Sequence, residues 1–285
     1  MKPSFSIRRG LCLLGLCALF TGAARAQLTI LPLGDSITYG FLTFTPPDYS
    51  SDGYRLQLFD DLGGSTSDVT FLGSNTSGSV LPPSEQANEG HNGYTIEGID
   101  AELTANNNTQ PGRSGDNNGG YWLTGGNGTG RSAINPQVVL LDVGTNDATD
   151  GEDAVTMEAQ LTQLLTDLKT DLPDAQIFVG NLTPRLDSPS AEAVEDAYNA
   201  DVPTIIASED SANFHFVDLH DAVSPSNIDA AGGYQHPDAA GYAQMGDAWY
   251  GALVAADVAP EPSTYALMGV GAVLLIIIER RRRTA

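Results

Sequence analysis

Five short apolar runs, at residues 28–32, 69–72, 138–143, 177–179 and 214–217, constrain this chain more than any other feature. They are rich in Val, Ile, Leu and Phe and mostly unbroken, where a half-exposed strand would alternate with polar residues. Such runs are expected of strands covered by protein on both faces. Between them lie helical patterns at 54–62, 154–172, 191–208 and 239–256; the second repeats its apolar side chains at Leu161, Leu164, Leu165 and Leu168. Strands alternating with helices predict an α/β fold, a three-layer α/β/α sandwich around a mainly parallel five-stranded sheet. One segment breaks the rhythm: residues 105–136 form a Gly/Asn-rich loop far longer than usual connections. Within it, Tyr121 and Trp122 either stack on a sugar ring or lid a cleft, or pin the loop to the body.

Both ends read as addresses. Lys2, Arg8 and Arg9 precede an apolar run at 11–20, and Ala24-Arg25-Ala26 supplies a small-x-small cleavage pattern, so residues 1–26 are expected to be a signal peptide and Gln27 the mature terminus. At the other end come Pro-Glu-Pro at 260–262, an apolar run at 265–278 and four arginines at 280–283. In that order the three parts resemble a PEP-CTERM sorting signal. The resemblance implies export, transient membrane retention with the arginines cytoplasmic, and processing by an exosortase-type enzyme. A plain C-terminal anchor is the alternative. Either way residues 27–259 form one domain outside the cytoplasm, whether periplasmic, cell-surface or extracellular, touching the membrane only through segment 260–285.

That domain is extremely acidic. Of 36 acidic residues 34 fall between 27 and 259, against Arg55, Arg113, Arg131, Lys169 and Arg185, a formal charge of 5 − 34 = −29. Nucleic acid and anionic membrane surfaces repel such a body, so neither is an expected partner. Both cysteines, Cys12 and Cys17, lie in the leader, which excludes disulfides, thiolate metal sites and a cysteine nucleophile from the exported part. The four histidines have no metal-ligand spacing, so no metal and no cofactor is expected.

Sheets of this type gather ligands at the carboxyl ends of their strands. Ser36, in "GDS", follows the first run; Gly93 lies in "EGHNGYTIEGI" after the second; Asn146 lies in "LLDVGTND" after the third; His236 precedes the last helix in "YQHPDAAGY". Each alone has an ordinary reading as a cap or turn. Together they supply a serine, a base and two donors for a developing oxyanion. In that order, over nearly the whole domain, Gly34-Asp35-Ser36, Gly93, the run 144–147 and His236-Pro237 resemble the four blocks of the SGNH hydrolases, or GDSL esterases. "SDGYR" at 51–55 and "EGHNGYT" at 89–95 are similar to the carbohydrate-esterase branch that includes acetylxylan esterases.

The resemblance implies Ser36 as nucleophile, His236 as general base, and the Ser36 N–H, the Gly93 N–H and the Asn146 amide as oxyanion donors. His91, inside the second block, is placed in or near the cleft. The family usually has an aspartate three residues before the histidine; here that position is Gly233. Three options follow: a Ser–His dyad oriented by a backbone carbonyl, a carboxylate donated by Asp229, or an impaired enzyme. The expected activity is a secreted serine esterase releasing small acyl groups, acetyl foremost, from a carbohydrate or other small ester. The alternatives are a lipolytic or aryl esterase, and a surface carbohydrate-binding protein on a decayed esterase scaffold.

Overall fold

Strand β1 (Leu28–Gly34) shows how the apolar runs are used: Leu31 and Leu33 face one side of the sheet, while Ile30 faces the other. The computed structural model describes residues 27–259 except 45, 49, 106–119, 126–131 and 210, together with residue 282. The predicted signal peptide and, but for that one residue, the C-terminal segment lie outside the described residues. Among the described residues no helix is long and apolar enough to cross a membrane.

In chain order β1 is followed by the one-turn helix α1 (Ser36–Tyr39), the small hairpin β2 (Thr43–Phe44) and β3 (Pro47–Asp48), and α2 (Arg55–Asp61). Next come β4 (Val69–Phe71), β5 (Asn75–Thr76), β6 (Ala87–Gly90), α3 (Ile96–Leu103), β7 (Val138–Asp142) and α4 (Thr145–Asp150). The last part alternates α5 (Ala154–Asp171), β8 (Gln176–Gly180), α6 (Pro189–Ser208), β9 (Phe214–Val217), α7 (Leu219–Ala222) and α8 (Ala239–Ala255). All five apolar runs are strands of one sheet, ordered β5-β6-β1-β7-β8-β9 with β4 also paired to β1, and every pairing but β5–β6 is parallel.

The expected five strands are therefore seven. The two missed strands, β5 and β6, are short and polar. They stand because buried side chains satisfy them: Asn75 Nδ2 donates to Gly90 O at 2.7 Å, and Glu89 accepts from Ser74 N–H at 2.5 Å. An apolar-run criterion has nothing to detect in "ANEG".

Alternation along the strands builds two half-cores. Leu31, Leu33, Val139, Leu141, Ile177 and Val179 pack under α3, α5 and α6. Ile30, Val138, Leu140, Phe178 and Val217 pack under α2, α7 and α8. Fully burying each such side chain is worth about 1.5–3 kcal/mol, which is why the unbroken runs specify a sheet with two covered faces. Pro32 in the middle of β1 is tolerated for a definite reason. Ile30 O and Gly34 O accept from Leu72 and His91 on one edge of the strand, so the N–H that Pro32 lacks would point into the gap between β4 and β6.

Candidate active site

The register of the three central strands assembles the site. Gly34 pairs with Gly90 on one side and with Asp142 on the other, so Ser36, Gly93 and Asn146 stand two, three and four residues beyond one level of the sheet's carboxyl edge. At Gly34 a Cβ would lie 2.1 Å from Asp142 O, so a glycine is what lets β1 and β7 close up beneath the serine. Asp35 then caps α1, its Oδ1 accepting the Ile37 N–H at 2.9 Å, and Ser36 becomes the first residue of that turn.

From 200 residues further along, His236 meets it: Ser36 Oγ and His236 Nε2 are 2.8 Å apart. On the other side of the ring, Nδ1 lies 2.7 Å from Gly232 O. A carbonyl oxygen only accepts, so Nδ1 carries the proton and Nε2 presents a lone pair to the serine hydroxyl. The tautomer suited to a general base is thus fixed without a carboxylate. Asp229 is not the orienting group: its Oδ1 accepts the Ala231 N–H at 3.0 Å, closing a turn within its own loop. Seven residues of spacing bring its backbone, and not its side chain, back to the histidine, with Asp229 N–H donating to His236 O at 2.9 Å.

Burial of the imidazole, aided by the nearby Arg185 charge and opposed by the Gly232 bond and Asp187, pushes His236 down to about 4. The ring is wedged between aromatic neighbours, with Phe41 at 4.7 Å and Phe44 edge-on at 5.5 Å between centroids. Phe44 also covers Gly233, where φ is +73° and a Cβ would lie 2.7 Å from the phenyl Cε2.

The expected oxyanion donors come from three elements: Ser36 opens α1, Gly93 lies in the loop after β6, and Asn146 stands in the first turn of α4. Among the described residues, no acceptor is bonded to the N–H of Ser36 or of Gly93, whose φ of +79° turns its peptide in the loop after β6. Gly93 thus follows a strand that the sequence reading did not contain. Asn146 Nδ2 donates to Tyr94 O at 2.9 Å and to Asp35 Oδ2 at 3.2 Å, tying the third block to the second and the first. Asp147 accepts the Ile96 N–H through both oxygens, at 3.1 and 3.2 Å, and burial pushes its carboxyl up to about 8. Asp142, buried under the same edge, is pushed well above the carboxylate range by burial and then by Asp35.

Residues 33–244 match the GDSL-like Lipase/Acylhydrolase family. The chain belongs to that family. Over 242 residues it is 28% identical to a multidomain esterase of Ruminococcus flavefaciens, covering 80% of this chain and only 28% of that protein's length. A family 3 carbohydrate esterase from Clostridium thermocellum is similar in structure, with a TM-score of 0.60 and 26% identity over 80% of this chain and 96% of the other. A family 3 carbohydrate esterase from Talaromyces cellulolyticus shares the fold, with a TM-score of 0.57 at 19% identity over 80% and 97%.

The remaining sequence candidates of this acylhydrolase are structural. His91 is fully buried, 3.3 Å from Glu89, and Trp122 stacks on it at 3.9 Å and 6°. That stack pins the long loop to the body, settling the two readings of Trp122 in favour of packing. In "SDGYR" the Asp52 carboxylate accepts the N–H groups of Val80 and Leu81, while buried Arg55 donates to Gln86 O at 2.8 Å and to Tyr39 O at 3.3 Å, holding the end of α1.

One residue beside the site carried no role in the sequence reading. Arg185 is buried in the loop after β8 and reaches four side chains. It donates to Asp187 at 2.6 Å, Glu195 at 2.7 Å, Thr149 at 2.7 Å and Gln235 at 3.0 Å. It therefore links α4 and α6 to the residue preceding His236. Scarcity was the available signal, since a domain with five basic residues has little reason to bury one without several partners.

Proposed function

We propose that the chain is a serine esterase acting through a Ser36–His236 dyad, releasing small acyl groups, acetyl foremost, from carbohydrate or related small esters. The observation that carries it is the unbroken relay from Gly232 O through the imidazole to Ser36 Oγ, with bonds of 2.7 and 2.8 Å. In this reading His236 takes the serine proton as Oγ attacks the ester carbonyl, then returns it to the departing alcohol. Water attacks the acyl-enzyme by the same route. The Ser36 and Gly93 amides receive the carbonyl oxygen as it becomes anionic, and Asn146 turns its longer contact, that to Asp35, toward the same oxygen.

Several observations support the finer claims. Ser36 is 9% exposed and His236 4%, a burial that favours a short acyl group over a long chain. The charge of −29 argues for a neutral substrate over an anionic lipid. Carbohydrate esterases stand among the similar proteins. Export, exosortase processing and a location outside the cytoplasm rest on the sequences at 1–26 and 260–285. Binding without catalysis is the weaker reading, because the relay is intact.

Two measurements test the proposal. A fluorophosphonate probe should label the protein at Ser36, and kcat/KM for p-nitrophenyl esters should peak at acetate and fall with chain length. No labelling favours a decayed scaffold, and a peak at octanoate favours a lipolytic enzyme.

The base must be neutral to act, so activity is complete above the pKa of His236 and lost as pH falls through it. With that pKa held near 4, the acid limb of kcat/KM for p-nitrophenyl acetate should have its midpoint near pH 4. A midpoint near pH 6.5, the ordinary histidine value, would show an imidazole in free contact with water.

A further inference from the structure

We propose that Phe44, Tyr234 and Leu186 form the subsite for the alcohol half of the ester, a stacking face for a sugar ring. This rests on the esterase reading above and extends it to substrate recognition.

Among the described residues five large apolar side chains are exposed, and three of them belong to the segments linked to the histidine loop: Phe44 at 50%, which meets the imidazole, Tyr234 at 48%, two residues before His236, and Leu186 at 47%, bonded through its backbone to Tyr234. Their backbones are stitched into one rim. The Phe44 N–H donates to Ala231 O at 3.0 Å and the Leu186 N–H to Tyr234 O at 2.7 Å, while the Phe44 ring lies on Gly233 and meets the imidazole edge-on at 5.5 Å. Scattered exposed apolar residues need no explanation, but three on hydrogen-bonded segments that meet at the loop of the proposed base do.

Tyr234 adds an independent observation. Its φ is +59°, a left-handed conformation that disfavours a bulky side chain. Packing does not offset that cost, because the ring is half exposed. Strain of this kind gathers where a side chain must be aimed at a ligand.

The mechanism decides which half of the substrate lies there. Acyl carbon and oxyanion sit toward Ser36, Gly93 and Asn146, while His236 delivers its proton to the leaving oxygen, so the alcohol departs on the histidine side. The rim's chemistry then names the alcohol. Aromatic faces match the apolar C–H face of a pyranose, and two carboxylates lie in the same loops, Asp187 paired with Arg185 and Asp229 holding the Ala231 N–H through Oδ1 alone, which leaves its other oxygen as an acceptor for a hydroxyl. An anionic lipid would meet those carboxylates with its own charge.

The test compares two acetate esters on the same enzyme, peracetylated xylobiose, which has rings to stack, and ethyl acetate, which has none. In Tyr234→Asn, where asparagine tolerates the left-handed backbone, the ratio of kcat/KM for the sugar ester to that for ethyl acetate should fall about tenfold, mainly through KM. Leu186→Ala should lower it further in combination, and Tyr234→Trp should keep it within about twofold of the wild type. A ratio unchanged in Tyr234→Asn, an equal fall on both esters, or a loss in Tyr234→Trp as large as in Tyr234→Asn would overturn the proposal. Wild-type enzyme that cleaves ethyl acetate but not the sugar ester would instead overturn the carbohydrate reading beneath it, a result visible before any variant is made.

Discussion

Replacing Ser36 with alanine should cut p-nitrophenyl acetate hydrolysis about ten-thousandfold or more while leaving the thermal unfolding midpoint nearly where it was. The reasoning separates the two readouts. Among the described residues the hydroxyl bonds to His236 alone, at 2.8 Å, and one such bond contributes about 1 kcal/mol to stability. In the reaction the same oxygen forms the acyl-enzyme, and nothing beside it can substitute. The residual rate would report what the oxyanion donors and binding achieve with water alone as nucleophile. Equal steady-state rates for wild type and Ser36→Ala would refute the dyad outright.

Loss of the imidazole should be almost as severe. His236→Gln, which keeps much of the volume under Phe41 and Phe44, removes the base and should lower kcat about a thousandfold or more, with a smaller change in KM. Because serine and histidine act as one unit, the double variant Ser36→Ala/His236→Gln should be no slower than Ser36→Ala alone. Steady-state kinetics on the two single variants and the double one checks this. Losses that multiply would mean that the residues act independently, which a 2.8 Å proton-sharing contact does not allow.

Much of this was legible in the sequence because the signals were strong and local. Unbroken apolar runs marked β1, β4, β7, β8 and β9, and the apolar periodicity at Leu161, Leu164, Leu165 and Leu168 marked α5, each of these leucines now buried. The four blocks pointed to one sheet edge, and the fold brings Ser36 and His236 within bonding distance. What was not legible depends on long-range polar satisfaction. β6 has no apolar signature and exists through Asn75 and Glu89. The orienting group on His236 is a peptide oxygen, which every residue carries and no composition reveals. Arg185 finds its partners on α4, α6 and the histidine loop, segments brought together only by the finished fold. The rim residue Phe44 sits in a two-residue strand, too short for any periodicity.

The ring that covers residue 233 has a consequence for how this catalytic centre can change. An acid placed there would enter a left-handed backbone and bring its first side-chain carbon to 2.7 Å from Phe44. An acid at 233 therefore requires the half-exposed Phe44 ring to swing aside, as well as a backbone that disfavours it. In the proposed dyad, the place from which a family-type carboxylate would come is thus already taken by an aromatic ring.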